Sequence, residues 1–183
     1  MRAAVAIMVL AVASPSLAGP SGSTAMGEAS ATVVEPLTLT ARAELDFGTI
    51  ATSNLGGTVV LHPFNPAPEY GGGVMNVCSA PCLAAHPAGF DVQGEAGRSY
   101  QIAYPQSLMV TPLPVASGGN GVPTPMLVDA ITVKTLSRPD AGARGLLDEA
   151  GKDRFEVGGT LHVSANQAEA RYATQLMVNI SYF

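Results

Sequence analysis

Apolar and polar residues alternate with a period of two along most of this 183-residue chain, and that rhythm constrains its fold more than any motif. Successive side chains of a strand point to opposite faces, so alternation describes a strand with one packed face and one wet face. The C-terminal segment is the clearest case. Tyr172, Thr174, Leu176, Val178, Ile180 and Tyr182 share one face, and Arg171, Ala173, Gln175, Met177, Asn179 and Ser181 share the other. From Val33 to Phe47 the odd positions read Val33, Glu35, Leu37, Leu39, Ala41, Ala43, Leu45, Phe47, with only Glu35 out of pattern. Pro36 has no N–H to give a ladder, which places it at a strand start or a sheet edge.

Further strands are expected over 57–62, 90–93, 98–104, 108–111, 126–134 and 154–164, separated by Gly- and Pro-rich connections. No helical stripe of useful length competes, although residues 166–170 have room for one turn. Gly158-Gly159 interrupts an alternating run, as a bulge or sharp bend would. Residues 62–89 and 111–125 read as long irregular connections. The charged stretch 138–156 reads as a solvated loop leading into a strand. With 20 Gly and 14 Pro, seven or eight antiparallel strands of this kind make an all-β, antiparallel β-sandwich, with a small barrel as the alternative.

The N-terminus carries an address. Arg2 is followed by an apolar run from Ala3 to Ala13, then by Ser14-Pro15 and the small residues Ser16 and Ala18. This is the layout of a secretory signal peptide over 1–18, with cleavage expected after Ala18. The run is too short to span a bilayer, so no membrane span is expected. Residues 19–32 then form a flexible arm ahead of a domain over 33–183. Nine Lys and Arg against 14 Asp and Glu give a net charge of −5, which argues against a nucleic-acid partner. Export through the periplasm places Cys78 and Cys82, as Cys-Ser-Ala-Pro-Cys, in an oxidising compartment where a local disulfide is the expected state. A metal site using Cys78, Cys82 and His86 lacks a fourth ligand.

Several segments in this order resemble an uncharacterised bacterial family of secreted, pilin-like β-sandwich domains, related to fimbrial and spore-coat subunits. They are Leu45-Asp46-Phe47-Gly48-Thr49-Ile50, Gly56-Gly57-Thr58-Val59, Gly158-Gly159-Thr160-Leu161-His162-Val163, Ala165-Asn166-Gln167, Tyr172-Ala173-Thr174 and Val178-Asn179-Ile180-Ser181-Tyr182. The resemblance implies an immunoglobulin-like sandwich that associates by strand complementation, into a homo-oligomer or fibre, with a periplasmic chaperone as partner. It also implies two assembly elements. Residues 19–34 would be the donor arm, presenting Ala25, Met26, Ala29, Ala31 and Val33. Tyr172, Leu176, Val178, Ile180, Tyr182 and Phe183 would mark the edge that pairs with a chaperone or neighbour. The function so implied is structural or adhesive, at the bacterial cell surface or secreted.

Bond chemistry is not expected. His62 and His86 each precede a proline, His162 sits on the wet face of its strand, and no nucleophile elbow, zinc-protease helix or phosphate loop is present. The carboxylates Asp148, Glu149, Asp153 and Glu156 alternate with Arg144, Lys152 and Arg154, which reads as solvated surface rather than a calcium loop. No metal, cofactor or catalytic residue is therefore expected. The alternative reading is a monomeric secreted binding module that takes a carbohydrate or protein on its loops, with Phe64, Tyr70 and Phe90 as aromatics near the first long connection.

Overall fold

In the computed structural model the described residues are Met26, Glu28, 30–65, 67–78, 84–113 and 122–183. The expected signal peptide lies outside them. The chain divides into two units, Met1–Val33 and Val34–Phe183. The described residues of the first are exposed and belong to no strand or helix. The second carries thirteen strands among its described residues: β1 (Thr38–Ala43), β2 (Ile50–Ala51), β3 (Gly57–Leu61), β4 (Glu69–Gly72), β5 (Met75–Asn76), β6 (Ala88–Gln93), β7 (Ser99–Ala103), β8 (Leu108–Pro112), β9 (Met126–Thr135), β10 (Arg144–Leu146), β11 (Lys152–Val163), β12 (Tyr172–Ala173) and β13 (Asn179–Tyr182). All their pairings are antiparallel. No described helix is long and apolar enough to cross a membrane.

The largest sheet runs β1-β6-β11-β9-β8-β12, with β3 and β4 joined on through β11. β11 is its spine. One side of β11 pairs with β9, and the other pairs first with β6 (Lys152 to Val157) and then with β3 (Gly159 to Val163). The handover falls at Gly158, where an added Cβ would stand 2.1 Å from the Leu61 carbonyl oxygen and 2.8 Å from Pro63 Cδ. Only glycine lets the two neighbours meet there. The expected irregularity at Gly158-Gly159 is present, but its extra residue sits on β9: two residues, Ala130 and Ile131, face Gly159 alone. Ala130 takes a φ of 46°.

A second sheet, β10-β7-β13, and a ribbon, β2-β5, complete the arrangement. The apolar residues form one cluster, in which Phe90, Val92, Val128, Val133, Phe155 and Val157 of the large sheet join Tyr100 and Ile102 of β7. Phe90 and Phe155, cross-strand partners, stack with ring centroids 4.9 Å apart. Burying a side chain such as Phe155 contributes roughly 2–3 kcal/mol. The product is an all-β, antiparallel, curled sandwich, as the alternation predicts.

Four expectations need correction. Residues 171–182 are not one strand: β12 pairs with β8 in the large sheet, and β13 pairs with β7 in the other. Alternation survives because Tyr172, Leu176, Val178, Ile180 and Tyr182 pack on the same core while the chain crosses between layers. The stretch 62–89 is not wholly irregular, since it holds β4 and β5. The charged stretch 138–156 holds β10, with Gly145 and Leu147 buried. Residues 166–170 form no helix.

Candidate functional site

The C-terminal edge is built by register. On β7 the Ile102 N–H donates to the Ala143 carbonyl (2.8 Å), and just ahead of β7 the Arg98 carbonyl accepts from the Leu147 N–H (2.9 Å). The even-numbered residues of β7 therefore bond toward β10, which leaves Ala103 and Gln101 to bond Asn179 and Ser181 of β13. By the same alternation the N–H and C=O groups of Ile180 and Tyr182 point away from β7, toward the free side of the sheet. Their side chains turn inward. β13 is thus an edge strand among the described residues, with its apolar face already packed and its backbone unpaired on one side.

The end of this strand is anchored. The Tyr182 hydroxyl donates to the Glu35 carbonyl (2.9 Å) and accepts from the Glu95 N–H (2.7 Å). The Arg98 guanidinium lies 5.1 Å from the Tyr182 ring centre, and that of Arg144 lies 5.4 Å from the Phe183 ring. Cation–π contacts at such exposed sites contribute roughly 0.5–1 kcal/mol each. Phe183 is exposed, whereas Ile180 and Tyr182 are half-buried. Tyr172, Leu176 and Val178 are also half-buried, but Tyr172 lies on β12 and Leu176 and Val178 lie in the crossing segment. Of the six residues that the resemblance assigns to the edge, only Ile180 and Tyr182 stand on β13. Of the arm residues, Met26, Ala31 and Val33 are exposed; Ala25 and Ala29 lie outside the described residues. Cys78 is not a free thiol, its N–H is bonded to Asn76 Oδ1 (2.8 Å), and Cys82 lies outside the described residues.

The inner face of β11 holds a seam that the sequence reading assigned to solvent. Tyr100 has no solvent exposure, and its hydroxyl donates to Asp153 Oδ2 (2.9 Å). The same carboxylate accepts from the backbone N–H groups of Ser137 (3.2 Å) and Arg154 (2.8 Å), and from the Ser137 hydroxyl. Burial, with the Asp153 charge second, pushes the Tyr100 phenol far above its usual pKa. Gly145 lies against this ring, where a Cβ would stand 2.4 Å from Cε1. Asp153 therefore ties β7, the turn after β9 and β11 together. A shallow groove of about 610 Å³ runs past it, lined also by Thr40, Asp91, Gln93, Lys152 and Arg154. Its carboxylates are engaged within the protein: Asp91 with Arg154 at 3.2 Å, and Asp148 with the N–H groups of Ala150 and Lys152 at 2.8 Å each.

Across the strand, on its outer face, Glu156 does something different. Its Oε2 accepts the Phe64 N–H at 2.7 Å and its Oε1 meets Arg42 at 3.5 Å. Phe64 occupies the third place of the turn His62-Pro63-Phe64-Asn65, closed by the Asn65 N–H on the His62 carbonyl (3.2 Å). Its φ is 59°, in the left-handed region that such a turn normally gives to Gly or Asn. Holding a bulky residue there costs roughly 1–3 kcal/mol. The residue is nevertheless 39% exposed. Phe90 is buried in the core stack and Tyr70 is half-buried against the core, so of the three aromatics near this connection Phe64 alone is turned outward. His62 pairs with Glu69 at 3.3 Å beside the turn, and His162 pairs with Asp129 at 2.8 Å farther along the same face. Among the described residues, no group of three or more His, Cys, Asp and Glu side chains is placed to hold a metal ion.

These features describe a β-sandwich domain with an open C-terminal edge and an outward-facing aromatic turn. The family described as "Domain of unknown function (DUF4402)" matches residues 37–182, and the chain belongs to it. The resemblance to an uncharacterised bacterial family is thereby borne out. Neither the curated proteins nor the solved structures contain a match to this chain.

Proposed function

We propose that this chain is an exported structural or adhesive subunit of the cell surface that associates by strand addition at its C-terminal edge. The observation that carries this reading is the register of β13, which turns the backbone groups of Ile180 and Tyr182 toward a side that no strand of the described residues covers. An extended segment laid along that side would gain main-chain hydrogen bonds, and its alternating side chains would set the register. Ile180 and Tyr182 already pack on the core of 34–183, so the added strand would extend a sheet by its backbone. The natural donor is residues 19–34 of a second copy, whose Met26, Ala31 and Val33 are exposed. A periplasmic chaperone would occupy the same edge before assembly. The role is mechanical and needs no bond chemistry.

The test compares the mass of the chain cleaved after Ala18 with and without boiling in detergent. Two variants accompany it, one lacking residues 19–34 and one carrying Ile180→Pro, which removes an outward N–H. A ladder in the unboiled wild type that both variants lose is expected. Monomer in every lane, or a ladder indifferent to both changes, sinks the reading.

A further inference from the structure

The Pro63–Phe64 turn combines features that packing alone does not explain. Its third place favours glycine, yet it carries a phenylalanine at a φ of 59°. Two devices on β11 hold it there. Pro63 is buried against the side-chain-free Gly158, and Glu156 accepts the Phe64 N–H at 2.7 Å. A residue held under such strain for packing alone would be expected to be buried, but Phe64 is 39% exposed. Strain persists where surrounding structure over-determines it, and such positions cluster at binding sites.

The ring's surroundings define what it would meet. The Arg42–Glu156 pair is tied to the turn through the Phe64 N–H, and the half-exposed His62–Glu69 pair begins at the first residue of the same turn. Each Glu156 oxygen makes one contact and keeps further acceptor capacity, and Arg42 and His62 keep donor capacity. An exposed aromatic residue on a turn that also carries mixed donors and acceptors, with no surplus of positive charge, matches a small ligand that has one apolar face and a hydroxyl-bearing edge. A single ring offers far too little apolar area for a protein interface, which needs about 1,000 Å² or more. An anionic ligand would meet the two carboxylates.

We propose that the Phe64 turn is a binding site for a neutral pyranose saccharide, which stacks its C–H face on the Phe64 ring and directs its hydroxyls to the polar groups of the turn, Arg42, Glu156, His62 and Glu69. The site lies on the outer face of the large sheet and does not depend on the β13 edge, so it holds whether or not the chain polymerises.

The experiment applies the purified chain to an array of immobilised neutral, sialylated and sulfated glycans. Hits are followed by saturation-transfer NMR with the free oligosaccharide, for wild type, Phe64→Gly and Phe64→Ala. Binding of neutral glycans is expected, with transfer to the sugar C–H protons and an affinity at least tenfold lower in both variants. Phe64→Gly is also expected to keep or raise the Tm, because the turn no longer strains a side chain. Four results overturn the proposal. They are no binding to any glycan, preference for the sulfated or sialylated set, binding retained in both variants, or a Tm fall of more than about 4 °C in Phe64→Gly, which would make the ring a packing residue.

Discussion

Two carboxylates three residues apart on β11 do opposite things. Asp153 faces the core side, where it gathers the Tyr100 hydroxyl, two backbone N–H groups and the Ser137 hydroxyl. Glu156 faces outward and spends its oxygens on one strained backbone N–H and on Arg42. The chemistry of the two groups is the same, and the difference is which layer each one serves. The Asp153 seam closes the sandwich, so losing it is expected to cost stability. The Glu156 contact holds an aromatic away from the core, so losing it is expected to change a surface and leave the fold standing.

The harshest way to break the comparison is to damage the spine that both carboxylates share. Gly158→Ala would drive a Cβ into the Leu61 carbonyl, part β3 from β11 and lift Pro63. A loss of about 3 kcal/mol or more is expected, read as a lower urea midpoint. Retention of the wild-type midpoint would show that the handover at Gly158 tolerates a side chain.

Tyr100→Phe separates the seam from the turn. Removing the hydroxyl leaves Asp153 with three other donors, so about 1.5 kcal/mol of stability should go, while the Phe64 amide stays protected. The pH profile sharpens the test. The folded phenol titrates above its unfolded value, so its contribution is complete below about pH 10 and is lost as the pH rises beyond that. Wild type should weaken above pH 10, and Tyr100→Phe should lose that component of the slope.

The smallest effect is expected at the turn. Glu156→Ala should cost about 1 kcal/mol, since a strained turn loses its acceptor but also gains freedom to relax. Hydrogen exchange at the Phe64 amide should accelerate markedly, with the Tyr100 seam unmoved. Equal losses from Tyr100→Phe and Glu156→Ala would erase the distinction between a closing contact and a displaying one.

Much of this architecture is legible in the chain. The segments around β3, β6, β7, β8, β9 and β11 are visible because each has a packed face and a wet face, and alternation reports that directly. β4 and β5 were hidden because Glu69 to Asn76 contains three glycines and alternates little. β10 was hidden among charges, although Gly145 is buried because the Tyr100 ring leaves no room for a side chain. The site was less legible still. Phe64 in a Pro-rich connection carries no periodic signal, and Asp153 and Glu156 read alike in a charged run.

By itself the sequence determined the strand faces, the class of fold, the family likeness and the glycine bend in the spine. Each of these follows from local stereochemistry or from which side of a strand is wet. Tertiary structure alone decided which strands pair and that the C-terminal alternation splits between two sheets. It also decided which of two neighbouring carboxylates faces the core. Alternation specifies facing but not pairing, because a side chain turned toward one core is equally satisfied from either layer that encloses it.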